Sequence, residues 1–422
     1  MLAAALRVGR SSEDALVQVA PPAELIKRIQ ELPAARPLMR RIRADEPIYL
    51  VGGAVRDILL GGEPFDLDLV VEGDAAALAA TLGDSVVVHD RFGTATVTLN
   101  GISYDIATAR RETYPRPGAL PDIAPASLRE DLGRRDFTVN AIAVALTGSG
   151  AGEVTAAPHA LDDLDASLLR VLHERSFIDD PTRMLRLARY SSRLGFEIEA
   201  HTREFVAEAV RAGAFGTVSG PRIGAELRLL ARERDPVEAL STLRELALDR
   251  QLDPRFGLEN PELARRGLAL LPTGGRADRL VLAVASRHVP APELEALLEA
   301  LEFEAEDRDA IVAAASGADR LARALQAAER PSQTAEAARG AGEELVALAG
   351  ALGPADAARA WLSELRGVTL EIDGADLLGH GIAEGPSVGR GLRAALAAKL
   401  DGQARGREAE LEVALRVARD SG

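Results

Sequence analysis

Asp66 and Asp68 stand one residue apart in Phe65-Asp66-Leu67-Asp68-Leu69-Val70-Val71. Side chains at i and i+2 of an extended segment share a face, so the two carboxylates converge. Like charges at that distance repel unless a cation sits between them, and Asp is otherwise depleted in strands. Mg2+ is the expected cation, because it takes one or two carboxylates and completes its shell with substrate phosphates. Upstream, the apolar run Ile48–Val51 ends in Gly52-Gly53-Ala54-Val55-Arg56-Asp57. Gly53 lets backbone approach a phosphate, and a helix starting there would offer free N–H groups and a positive dipole end. Arg56 is expected to add a mobile positive charge. Asp105 lies in a further apolar run, residues 103–107. It could be a second-metal ligand, the base for an attacking hydroxyl, or a plain hairpin residue.

Two later segments carry paired charges. In Arg134-Arg135-Asp136-Phe137-Thr138-Val139-Asn140, arginines beside Asp136 and Asn140 could grip phosphates and ribose hydroxyls, or simply start a salt-bridged helix. In Asp179-Asp180-Pro181-Thr182-Arg183, Pro181 suits the first helical position after an acidic cap. Asp180 and Arg183 are three apart on one helical face, and Arg186 and Arg189 continue it at the same spacing. A carboxylate beside a guanidinium can read a base. The carboxylate accepts from an exocyclic amino group while the arginine donates to the adjacent ring nitrogen. Cytosine and adenine offer that pattern; uracil and guanine oppose it, at ~1–3 kcal/mol per unpaired group. A capped helix with an i,i+3 ion pair is the plainer alternative, but it does not need the further arginines.

Positioning these groups calls for short strands and helices in alternation. Apolar runs at Ile48–Val51, 67–71, 86–89, Thr94–Leu99 and 102–107 read as strands, with Asn100-Gly101 as a hairpin turn. From Asp163 onward Leu/Ala/Arg/Glu periodicity takes over. Pro-Gly punctuation near 216–221 and 253–261 divides the helical part, and a block over 367–416 opens on a short β-type run. The expected fold is α+β, a mixed-sheet head followed by an all-helical remainder. The expected division is an N-terminal extension (1–40), head (41–160), helical neck (161–235), helical body (236–366) and tail (367–422).

With 422 residues, the chain exceeds one ordinary core. Aromatics are only 3% of residues, so cores must rest on Ala, Leu and Val. There is no cysteine, which excludes thiolate and disulfide chemistry. No apolar stretch has the length of a membrane span, and a cytoplasmic protein is expected. The net charge of −15 argues against indiscriminate polyanion binding. Yet the cations are almost all arginine, with lysine only at Lys27 and Lys399.

Taken in order, Gly52-Gly53-Ala54-Val55-Arg56-Asp57…Asp66-Leu67-Asp68, Arg134-Arg135-Asp136-Phe137-Thr138-Val139-Asn140-Ala141 and the Asp180/Arg183 segment resemble the bacterial-type (class II) tRNA nucleotidyltransferase and poly(A) polymerase family. That family belongs to the polymerase-β-like nucleotidyltransferase superfamily. The resemblance is dense over 48–230 and returns at 374–402. It implies template-independent addition of CMP and AMP (CCA) to a tRNA 3′ end, with ATP and CTP as substrates and Mg2+ as cofactor. CC-adding, A-adding and poly(A)-adding enzymes share these motifs, and a non-catalytic RNA-binding protein is a more distant alternative. By the resemblance, Asp66 and Asp68 hold the metal, with Asp105 as third acid. Gly53, Arg56 and Arg135 contact the nucleotide, Asp180 and Arg183 select its base, and Arg186 and Arg189 lie near the triphosphate. Residues 110–115 correspond to a flexible loop, Arg222 and Glu226 to a further neck helix, and 374–389 to a tRNA-contacting tail. Asp179 stands where many members carry Glu.

Overall fold

The computed structural model describes residues 20–43, 47–83, 85–89 and 93–420. It divides into two compact units, 1–219 and 220–422.

The first unit begins with helices α1 (Pro22–Glu31) and α2 (Arg36–Met39). Leu25, Ile29, Leu32 and Leu38 are buried, and the buried Tyr104 hydroxyl donates to the Ala34 carbonyl at 2.6 Å. Residues 20–40 therefore contribute to the core of this unit. The sheet then builds from β1 (Ile48–Val51), β2 (Asp68–Val71), β3 (Ser85–His89), β4 (Thr94–Leu99), β5 (Ile102–Thr108), β8 (Ile142–Ala145) and β9 (Val154–Ala156). Helices α3 (Gly53–Leu59) and α4 (Ala75–Leu82) follow β1 and β2, and between β5 and β8 run two further strands, β6 (Arg110–Thr113) and β7 (Asp122–Pro125), which pair only with each other.

The spatial order is β3-β4-β5-β2-β1-β8-β9. All pairings in this sheet are antiparallel except β2 with β5. The β4–β5 hairpin turns on Asn100 (φ 51°) and Gly101 (φ 80°), the two positive φ values that an Asn-Gly two-residue turn supplies. Asp66 differs from its expected place. It lies in the extended lead-in, and β2 begins at Asp68, where pairing with Val51 starts. Alternation nonetheless holds, with Leu67 and Leu69 buried and Asp66 and Asp68 exposed.

Register across the sheet places Asp105, Asp68, Val51 and Ala143 side by side on neighbouring strands. On the face they share, Leu128 and Leu132 of α5 (Leu128–Gly133) pack on Val51, Val70, Ala109 and Ala143. Ser127 and Glu130 close a reciprocal capping box at the start of α5. A short 3-10 turn at Thr138–Asn140 leads into β8, and past β9 the chain becomes mostly helical. Here lie α6 (Ala160–Asp165), α7 (Ser176–Asp179) and α8 (Thr182–Leu194), with a two-residue parallel pairing at 168–169 and 197–198.

The second unit is helical, from Gly220–Ala231 to Arg407–Arg419. The β-type run expected after 367 forms no strand. Ile372 instead joins a cluster with Leu377, Ile382, Ala395, Ala414 and Ala418, and the Glu371 N–H donates to Glu410 Oε2 at 2.7 Å. A side chain thus takes the donor that a sheet neighbour would have used. Among the described residues no helix is long and apolar enough to cross a membrane.

Candidate functional site

Gly52 closes β1 at φ 71° and ψ −138°, backbone that only glycine adopts without strain. The helix α3 (Gly53–Leu59) starts at once, with free N–H groups at the turn. Two guanidinium groups lie on this turn. A Cβ on Gly52 would come within 3.0 Å of Arg135 Nη1, and one on Gly53 within 3.4 Å of Arg56 Nη2. Arg56 is not the mobile cation expected. It is buried, donates to Asn140 Oδ1 at 2.6 Å and to Asp57 Oδ1 at 2.9 Å, and stacks over Tyr190. Arg135 donates to Asp131 Oδ2 at 3.0 Å, while its Nε is buried and without a hydrogen-bond partner among the described residues.

β2 begins beside this turn because Asp68 pairs with Val51. Burial pushes the Asp68 carboxyl up from the usual carboxylate range; Arg135 pulls it down, and the negative charges of Asp105 and Asp66 raise it again. The residue is exposed by area, so this crowding comes from the surrounding groups rather than from complete enclosure. Among the described residues neither Asp66 nor Asp68 has a side-chain hydrogen bond, which leaves both carboxylates free for a cation. Asp105 sits beside Asp68 in register but accepts from Thr96 Oγ1 at 2.6 Å. Among the described residues no three acidic or histidine side chains form a metal cage, so Asp105 does not complete one with the pair. Two unpartnered carboxylates beside a phosphate-sized turn still fit an ion that draws its remaining ligands from phosphate and water.

Asp136 ties this site to α8. Its carboxylate accepts from Arg186 Nη2 at 2.6 Å and from Asn140 Nδ2 at 3.0 Å. Burial alone would raise it, but Arg186 and these bonds hold it down at about 2. Asn140 thus joins Arg56 to Asp136 and Arg186. The half-buried ring of Tyr190 has the guanidinium carbons of Arg189, Arg56, Arg186 and Arg193 at 5.0, 5.6, 5.6 and 5.9 Å. Phe137 meets it edge-on at 5.8 Å. Sequence reasoning passed over Tyr190 as a focus, although Arg186 four residues before it and Arg193 three after it share its face of the helix. The approach of Arg56 has no local signal.

Asp180 accepts from the Thr182 N–H at 3.1 Å and from Thr182 Oγ1 at 2.6 Å, fixing the entry to α8. Arg183 is buried and donates to Ser176 Oγ at 2.8 Å and to the Arg134 carbonyl at 2.6 Å. Ser176 was not singled out in the sequence; a fully buried serine carries no such signal. Beside Arg183 opens a cavity of about 320 Å3, whose walls include Glu112, Tyr114, Arg134, His173 and Asp179. Residues 110–113, expected in a loop, form β6, because Arg110 to Thr113 pair with Pro125 to Asp122. Arg222 and Glu226 lie in the second unit, on the helix Gly220–Ala231.

A mixed sheet with an acid pair at the start of one strand, opposite a Gly-Gly strand-to-helix turn, defines a polymerase-β-like nucleotidyltransferase head. The family model for the poly A polymerase head domain matches residues 48–170. An A-adding tRNA nucleotidyltransferase of Geobacter sulfurreducens is 34% identical over 88% of this chain and 45% of its own length. A CC-adding tRNA nucleotidyltransferase of Deinococcus radiodurans is 43% identical over 49% of this chain and 55% of its own. The Thermotoga maritima CCA-adding enzyme, solved in complex with tRNA, superposes with a TM-score of 0.74 at 27% identity, covering 95% of this chain and 97% of that one. Over residues 48–170 the chain matches this head domain, and along its length it resembles A-adding, CC-adding and CCA-adding tRNA nucleotidyltransferases. It spans about half the length of the curated relatives named here. Enzymes of this kind generally use a divalent metal.

Proposed function

We propose that this protein adds CMP and AMP to the 3′ end of tRNA without a nucleic-acid template, releasing pyrophosphate. The observation that carries the reading is the register of Asp68 against Val51, next to a Gly52-Gly53 turn on which Arg135 lies. ATP and CTP are the substrates, tRNA the acceptor, and the cytoplasm the site of action. The head over 41–160 carries the chemistry and the neck over 161–235 selects the base. The body (236–366) and tail (367–422) contact RNA, by shape and backbone.

Asp66 and Asp68 would hold Mg2+, which when bound supplies positive charge to the reacting phosphate and the attacking oxygen. Gly53, with the first N–H groups of α3, and Arg135 bind the triphosphate; Arg56 braces that turn from beneath, with Arg186 and Arg189 adding positive charge. The terminal ribose oxygen forms a new bond to the α-phosphorus as the bond to the leaving pyrophosphate breaks. Asp105 takes the hydroxyl proton, poised by its bond from Thr96. Asp180 accepts from the amino group of cytosine or adenine while Arg183 donates to the neighbouring ring nitrogen.

Single-nucleotide specificity is the second reading. It is favoured by the Geobacter and Deinococcus relatives, named as A-adding and CC-adding enzymes. Transcripts ending before CCA, after C and after CC, each offered one labelled triphosphate with Mg2+, separate these. Two CMP additions followed by one AMP support CCA addition. Extension of only the CC-ended transcript supports A addition, long A tracts a poly(A) polymerase, and no incorporation at all refutes the proposal.

A further inference from the structure

Glu112 is a nearly buried carboxylate, its side chain 7% exposed, on a strand outside the main sheet. Each of its oxygens is engaged. Oε1 accepts from Arg134 Nη1 at 2.8 Å and from Arg110 Nε and Nη2 at 3.2 Å. Oε2 accepts from the Tyr114 hydroxyl at 3.0 Å. Arg134 is gripped from its other side by Asp131, at 2.9 Å from Nε and 2.7 Å from Nη2. With its side chain held at both ends, Arg134 presents its backbone carbonyl to Arg183 Nη2 at 2.6 Å. The chain of contacts therefore runs from Tyr114 through Glu112 and Arg134 to Arg183, along one wall of the cavity beside Arg183.

The same wall is electrostatically joined to Asp180. The Tyr114 hydroxyl is pushed up to about 12, first by burial; Arg183 opposes that rise, and the negative charges of Glu112 and Asp180 add to it. Tyr114 thus feels the charge of both members of the proposed base-reading pair and lines the cavity with Arg183. A guanidinium donating to a ring nitrogen must be fixed in direction to discriminate, since an arginine free to swing would find acceptors on any base. Two of the five Arg183 N–H groups are committed to Ser176 and to the Arg134 carbonyl. The direction of the remaining three is set by those two anchors together, and the Arg134 carbonyl is one of them.

We infer that Glu112 is a positioning residue for base selection, anchoring Arg134 so that its carbonyl holds Arg183 in one orientation and holding Tyr114 as the cavity wall against the incoming nucleobase. This rests on the proposed nucleotidyltransferase function and extends it to two residues that have no part in binding the triphosphate or the metal.

The test compares Glu112→Gln with the unaltered protein on a tRNA transcript that it extends. The readout is kcat/KM for the preferred triphosphate divided by that for each of the other three, together with KM for tRNA. Glutamine keeps the shape but removes the charge that grips Arg134. The ratio is expected to fall at least about threefold, with KM for tRNA changed by less than about twofold. Equal losses for all four triphosphates, with the ratio intact, would mean that Glu112 only supports the fold, and the inference would be overturned. If circular dichroism shows Glu112→Gln to be unfolded, Tyr114→Phe, which removes a single hydroxyl, is read by the same two outcomes. If the unaltered protein extends no transcript, the functional proposal falls and this inference with it; an active protein with an unmoved ratio overturns this inference alone.

Discussion

Arg135 lies so close to Gly52 that a Cβ on the glycine would come within 3.0 Å of Nη1. The contact joins the end of β1 to the segment after α5, and sets a guanidinium against the first N–H groups of α3. It needs glycine twice, once for room and once for φ 71°. Gly52→Ala should therefore cost about 1–3 kcal/mol of stability through backbone strain. It should also displace Arg135 and raise KM for the nucleoside triphosphate more than KM for tRNA. Chemical denaturation and steady-state kinetics check the two effects separately, and an unchanged nucleotide KM would remove Arg135 from the phosphate site.

Asp68 makes the opposite demand on the fold. Its carboxyl is raised, so its ionised form is less comfortable in the folded protein than in the unfolded chain. The resulting penalty is absent below the unfolded carboxylate range and grows as pH rises through the folded value. Asp68→Asn should accordingly leave thermal stability without metal equal or higher at neutral pH. Nucleotide incorporation should fall by something on the order of 10²–10³-fold, as when one preorganised electrostatic contact is lost. Added Mg2+ should raise the melting temperature of the unaltered protein and not that of the variant. A variant that is less stable and still active would argue for a structural aspartate.

The acid pair and the glycine turn were legible because each breaks a local rule: Asp in an apolar extended run, Gly-Gly between a strand and a helix. The Asn100-Gly101 hairpin was legible for the same reason. The neighbourhood of Arg56 was not, because its partners Asn140 and Tyr190 are far away in sequence and nothing local marks it as buried. The resemblance places 110–115 in a flexible loop, and it is the pairing of Arg110 to Thr113 with β7, distant in sequence, that makes most of it a strand. At 368–372 the error runs the other way. The β-type residues are there, but no neighbouring strand is, and a helical cluster claims Ile372 instead.

Asp180 has two possible duties, and one substitution separates them. Its carboxylate fixes the start of α8 by accepting from Thr182, and it is proposed to accept from the base. Asp180→Ala would abolish both and cost about 1 kcal/mol as a lost cap. Asp180→Asn keeps an oxygen for Thr182 but adds an N–H2 donor. That donor could serve the carbonyl of uracil or guanine, so misincorporation of UMP and GMP should rise while the melting temperature shifts little. Primer-extension assays with each triphosphate alone measure this. Selection as strict as in the unaltered protein would leave Asp180 only its structural bond.

The Asp136–Arg186 pair should be visible in the acid stability of the protein. The folded carboxyl is held down at about 2 against an ordinary value of 3.8, so its stabilising contribution is fully present above the unfolded value. That contribution is lost as pH falls through the folded value, within a window from about pH 4 down to about pH 2. The shift corresponds to roughly 2 kcal/mol. Asp136→Asn cannot titrate and leaves Arg186 facing a neutral amide, so it should be less stable than the unaltered protein at pH 7. Urea unfolding followed from pH 7 to pH 2.5 should show the gap between the two proteins narrowing only below about pH 4. A gap that stays constant over that range would mean that Arg186 does not hold the Asp136 charge in solution, and that α8 is docked by its other contacts, the Arg183 bond to the Arg134 carbonyl and the packing around Phe137 and Tyr190.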